Sequence, residues 1–120
     1  MTTISKKSNI DSKQSFAIIC NSFKNKTEYN LTKEQVDYIT HDIKANDKKF
    51  VCVNALSRLV FVIIVDDKKN HYTMLEAIRK SGATISDAVN AEKQDAVCCV
   101  NELSNTDYSL ALAEGIALAN

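Results

Sequence analysis

The sequence predicts an α/β domain in which helices cover both faces of a mixed sheet, and three observations carry that prediction. Short β-branched apolar runs alternate with longer stretches whose apolar residues recur at helical spacing. Proline is absent and glycine occurs twice in 120 residues, which weighs against a small all-β sandwich or barrel that must turn roughly every eight to twelve residues. Hydrophobic residues make up 45% and charged residues 25%, the balance of a folded domain rather than of a disordered chain or a disulfide-stapled miniprotein. The length suits one domain, and no repeat, linker or low-complexity tract divides it, so residues 1–120 are read as one unit.

Taken in order, the polar stretch Thr2 to Lys7 is expected to form an edge strand. Ser15 to Cys20 is a continuous apolar run followed by the polar stretch Asn21 to Asn30, which suits a strand covered on both faces. Leu31 to Asn46 is a helix with its own start signal. Thr32 can cap it, Gln35 stands three residues on to complete a capping box, and Leu31 with Val36 is placed for a hydrophobic staple. Val36, Ile39 and Ile43 then share one face.

Phe50 to Ala55 and Leu59 to Val65 are two strands separated by Leu56, Ser57 and Arg58, a spacing that predicts an antiparallel hairpin. The second run has no polar alternation and is expected to be sandwiched between layers. From Asn70, as cap, to about Asn90 runs a long helix with Leu75, Ile78, Gly82, Ile85 and Val89 on one stripe. Glycine in that stripe costs about 1 kcal/mol of helix propensity. Close approach to the sheet would offset the cost, and a break in the helix is the alternative. Asp95 to Val100 is a further strand, and a last helix starts at Asn105 or Thr106 and runs through Asn120. Its Tyr108, Leu110, Leu112, Ile116 and Leu118 spread around the circumference, so it is expected to be buried on more than one side. A partner beyond a single sheet face is implied.

Fifteen basic residues balance fifteen acidic ones, so no overall field gathers nucleic acid or anionic lipid. The basic pairs Lys6 with Lys7, Lys24 with Lys26, Lys48 with Lys49 and Lys68 with Lys69 lack interleaved aromatic residues and are read as solvated loop lysines. Nucleic acid is therefore not an expected partner. Cys20, Cys52, Cys98 and Cys99 lie inside apolar runs, form no CxxC pair and are read as packed, reduced thiols. Adjacent Cys98 and Cys99 would point to opposite faces of a strand. With a polar N-terminus and a longest apolar run, Leu59 to Val65, too short to span a bilayer, a cytoplasmic location without membrane attachment is expected.

No catalytic motif emerges. His41 beside Asp42 is read as a solvent-facing helix residue, and Asp66 with Asp67, followed at once by two lysines, as a charged turn. No spacing gathers carboxylates around His41 or His71 to hold a metal. No residue of the chain is assigned to a catalytic, cofactor or metal site.

The run Leu59 to Val65, the segment Leu75 to Lys80 and the helix Leu112 to Asn120 together resemble the N-terminal domain of leucyl (cytosol) aminopeptidases, a metallo-exopeptidase family with bacterial members. The last helix of that family reads Glu-Gly-x-x-Leu-x-x-Tyr. Glu114, Gly115 and Leu118 fit it, and Asn120 stands just before the expected aromatic. The resemblance follows the order of elements along the whole chain and is most specific in the last dozen residues. It implies a macro-domain-like three-layer fold and a non-catalytic assembly or regulatory domain, whose residues 106–120 lead toward a missing catalytic domain. The implied parent is a hexameric hydrolase that releases N-terminal residues from peptides with two divalent metals, zinc or manganese. Those metals, their ligands and the catalytic residues belong to the missing domain, so this chain alone is expected to be inactive. The implied partners are its own catalytic domain and the other subunits. A second implied function is ADP-ribose binding, since Val53, Asn54 and Ala55 resemble the start of the macro-domain motif Val-Asn-Ala-Ala-Asn. The continuation Leu56-Ser57 departs from it, as does the lack of Gly-rich loops. A purely structural interaction domain is the third reading.

Overall fold

The computed structural model describes residues 3–6, 14–23, 31–55, 58–66, 70–92, 96–103 and 105–119. Its strands are β1 (Thr3–Lys6), β2 (Phe16–Cys20), β3 (Phe50–Ala55), β4 (Arg58–Ile64) and β5 (Ala96–Asn101), and its helices α1 (Lys33–Ala45), α2 (His71–Ala91) and α3 (Thr106–Ala119). They form an α/β fold with one five-stranded mixed sheet in the order β1-β5-β2-β4-β3. β1 is an edge strand parallel to β5, β2 is parallel to both β5 and β4, and β3 is the antiparallel edge paired to β4. Thr2, Lys7, Asp95 and Asn120, which the expected elements included, lie outside the described residues.

Period-two alternation divides the core between the faces of the sheet. Ala17 and Ile19 of β2, Leu59, Phe61 and Ile63 of β4, and Val97 and Cys99 of β5 join one cluster with α2 and α3. Phe16, Ile18 and Cys20, then Val60, Val62 and Ile64, and Cys98 join the other with α1. Every described side chain of β2 and β4 is buried, because helices cover both sides of these inner strands. The neighbouring thiols of Cys98 and Cys99 do point to opposite layers.

Local chemistry sets the helix starts. At α1 the Gln35 amide donates to Thr32 Oγ1 at 3.1 Å and the Thr32 amide to Gln35 Oε1 at 3.0 Å, a complete capping box. Asn70 caps α2 by accepting from the amides of Tyr72 and Thr73. The hairpin is tighter than its spacing suggested. Arg58 belongs to β4, paired with Ala55, and lies 3% exposed with its guanidinium 5.1 Å above the Phe16 ring. Stacking on an aromatic face lets a cation sit where an apolar strand residue would otherwise stand.

Two expectations change at the helices. α2 runs unbroken through Gly82, and the close approach there is to α3 rather than to the sheet. A Cβ on Gly82 would come within 2.8 Å of the Leu112 carbonyl oxygen, and one on Gly115 within 2.9 Å of Arg79 Cα. The backbones of the two helices touch at this crossing. α3, in turn, is buried on one side, through Tyr108, Ala111, Leu112, Gly115 and Ile116. Leu110 and Leu118 on its other side are 61% and 84% exposed.

Candidate functional site

In a sheet of parallel strands, ligand sites open beyond the C-terminal strand ends, where the connections diverge to opposite faces. Here β2 leads to α1 on one face and β4 to α2 on the other. Two clefts open at that end of β4, and both are bordered by Lys49 and Ile64. The Ile64 amide donates to the Lys49 carbonyl at 2.8 Å, so the start of β3 is pinned between them.

The cleft on the α2 side has a volume of about 280 Å³. Phe50, Ile63, Met74 and Ile78 form its apolar wall, while Lys49, Asp66 and Lys80 stand at its rim. The Ser81 hydroxyl beside it donates to the Ala77 carbonyl at 3.0 Å, and Lys49 Nζ lies 3.4 Å from Asp47 Oδ1. The cleft on the α1 side, about 220 Å³, is lined more by polar groups, among them Asn21, Ser22, Thr40 and Lys44. Such walls suit a small apolar group with a charged end.

Neither histidine organises a catalytic group. His41 is exposed, and its neighbour Asp42 accepts from the Asn46 amide side chain at 2.6 Å across the end of α1. His71 begins α2 with Nε2 3.3 Å from Asp107 Oδ2 and its ring 5.8 Å from that of Tyr108, tying together the starts of α2 and α3. Among the described residues no hydroxyl or thiol hydrogen-bonds to it, and no group of three or more His, Cys, Asp or Glu side chains is placed to hold a metal. The described residues therefore do not fit a two-metal centre. Asp67, Lys68 and Lys69 of the charged turn, with Lys7, Lys24 and Lys26, lie outside the described residues.

Of the four cysteines only Cys52 is exposed. Burial, reinforced by the neighbouring Cys98, pushes the Cys99 thiol up to about 12, and partial burial raises that of Cys52. Ellman's reagent is expected to modify a single thiol in the native protein and the remaining three only in denaturant. Fast labelling of two or more native thiols would contradict the packing of β2 and β5.

Asn54 lies at the opposite end of the sheet from the clefts, paired with Leu59 at the start of β4. Its side-chain amide is 3.5 Å from Glu92 Oε1. Both glycines are spent at the helix crossing. Neither observation favours the ADP-ribose reading, which needs the asparagine and a flexible glycine loop around one pocket.

The segments that carry the aminopeptidase resemblance meet in space. Arg79 Nε donates to Glu114 Oε2 at 2.9 Å and its Nη1 to Glu76 Oε1 at 2.6 Å, beside the contact of Gly82 with Gly115. Hydrogen bonds to these carboxylates raise the Arg79 pKa further above its ordinary value. Glu114 and Gly115 thus work inside the fold, holding α3 on α2. The pairing of Arg79 with Glu114 was not legible beforehand, since 35 residues separate them. Nor were the clefts, although Phe50 directly after a polar loop marked the start of the strand that borders them.

Comparison with known proteins found no matching family model, no similar curated protein and no matching solved structure.

Proposed function

We propose that this domain is a non-catalytic, cytoplasmic assembly domain of a leucyl aminopeptidase, supporting the hexamer of an enzyme whose metal chemistry resides outside these 120 residues. The observation that carries the reading is the outward side of α3, where Leu110 and Leu118 stand in solvent one helical turn to either side of the exposed Glu114. Two large apolar side chains left unused by the domain's own core, with a carboxylate between them, provide points for packing against another protein layer. The resemblance in Leu75 to Lys80 and Leu112 to Asn120 supplies the identity of that layer. In such a parent, two divalent metals, zinc or manganese, provide the water activation of peptide hydrolysis. The residues described contribute packing and positioning. Among them, no helix is long and apolar enough to cross a membrane.

The test uses the protein encoded by the whole open reading frame together with the 120-residue chain. Cleavage of a leucyl anilide in zinc or manganese is expected from the whole protein and absent from the chain alone. Leu118→Glu should leave the melting of the chain unchanged within about 0.5 kcal/mol, as for an exposed site, and weaken hexamer formation in the whole protein. Turnover by the chain alone, or a reading frame that encodes no further domain, would refute the proposal.

A further inference from the structure

The β3 edge of the sheet has its own chemistry. The Lys49 carbonyl accepts from Ile64 across the β3–β4 ladder, in the register that pairs Phe50 with Ile63 and Ala55 with Arg58. Antiparallel alternation then directs the backbone groups of Val51, Val53 and Ala55 toward β4 and those of Phe50, Cys52 and Asn54 away from it. Among the described residues, nothing pairs with that outer row.

Edge strands are ordinarily guarded by charge, proline or a bulge. Phe50–Ala55 contains no charged residue and no proline, and its pairing with β4 runs through consecutive residues with no bulge. Cys52 and Asn54 are both exposed. An unguarded row of donors and acceptors is matched by another strand.

We propose that β3 pairs antiparallel with β3 of a second copy of this chain, about a two-fold axis at Cys52, joining two sheets into one. The strand is self-complementary in that register. Phe50 faces the partner copy's Asn54, Cys52 faces its own equivalent, and each pair exchanges both backbone bonds, so every outward group of the row is satisfied. Charge does not oppose the pairing. Lys49 falls opposite Ala55 rather than another lysine, and the chain carries no net charge. This inference is independent of the aminopeptidase reading, because it rests on strand geometry and not on α3.

Sedimentation of the 120-residue chain under reducing conditions tests it. A dimer is expected, joined by the short thiol crosslinker dibromobimane through Cys52, because facing residues of a hydrogen-bonded pair lie about 5.5 Å apart at Cα. Cys52→Lys places a charge at the axis on an exposed side chain and should raise the dimer dissociation constant about tenfold or more with the fold retained by circular dichroism. Cys52→Pro, which removes an outward N–H and none that bonds β4, should do the same. Leu118→Glu should leave this dimer intact. A chain that stays monomeric at its highest soluble concentration would overturn the proposal, as would a dimer that Leu118→Glu dissociates and Cys52→Lys does not.

Discussion

Gly115→Ala is expected to destabilise the domain by about 3 kcal/mol, the upper part of the usual range for overpacking. Helix propensity alone predicts the opposite sign, since alanine is favoured over glycine by about 1 kcal/mol inside a helix. Packing decides. The new Cβ would collide with the Arg79 carbonyl group and lie 2.9 Å from Arg79 Cα, and these are backbone atoms that no rotamer change can withdraw. Relief requires α2 and α3 to separate, which loosens the cluster around Ile78, Leu112 and Ile116 and pulls Arg79 from Glu114. Urea unfolding of the variant beside Ala117→Gly, on the exposed side of the same helix, separates the two effects. Ala117→Gly should cost only the propensity difference. An unchanged or raised midpoint for Gly115→Ala would show that the helices do not touch there.

Phe61→Ala is expected to cost about 3–5 kcal/mol, as for other fully buried phenylalanines. Phe61 is wholly buried in β4, beneath α2, and stacks on Phe50 with ring centroids 6.1 Å apart. Its loss leaves a cavity bounded by strands on both sides, which cannot collapse without breaking the ladder to β2 or β3. Phe50→Ala makes the informative comparison. Phe50 is only partly buried at the edge, so its truncation should cost less than half as much while widening the cleft it borders. Equal costs for the two, measured by denaturant midpoints at constant m, would place Phe61 nearer the surface than its burial implies.

Much of the fold was legible because its determinants are local. The capping box of Thr32 and Gln35 needs four consecutive residues, and both halves of it form. The unalternating run from Leu59 to Val65 announced a strand covered on both faces, and all of it is buried. Misreadings arose where a contact between distant residues overrode local expectation. Strand spacing leaves Arg58 in the turn with Leu56 and Ser57, yet it pairs with Ala55 and the Phe16 ring gives it a place in the strand. The expected stripe of α2 does pack on the core, with Leu75 partly buried at its margin and Met74 buried beside it. Of the candidate clefts, sequence showed only separate pieces, because Lys49, Ile64 and Lys80 come from different elements.

By itself the sequence determined the kinds of elements, their order and the two-sided burial of the inner strands, since periodicity and capping are properties of neighbouring residues. It also determined that no familiar catalytic spacing is present. Tertiary structure alone decided that Gly82 meets Gly115, that Arg79 binds Glu114, that Leu110 and Leu118 of α3 stay in solvent, and that β3 ends the sheet with a row of backbone groups unpaired among the described residues. Each of these depends on which elements become neighbours. Sheet order and helix crossing arise from the joint packing of residues far apart in the chain, which no window of local sequence contains.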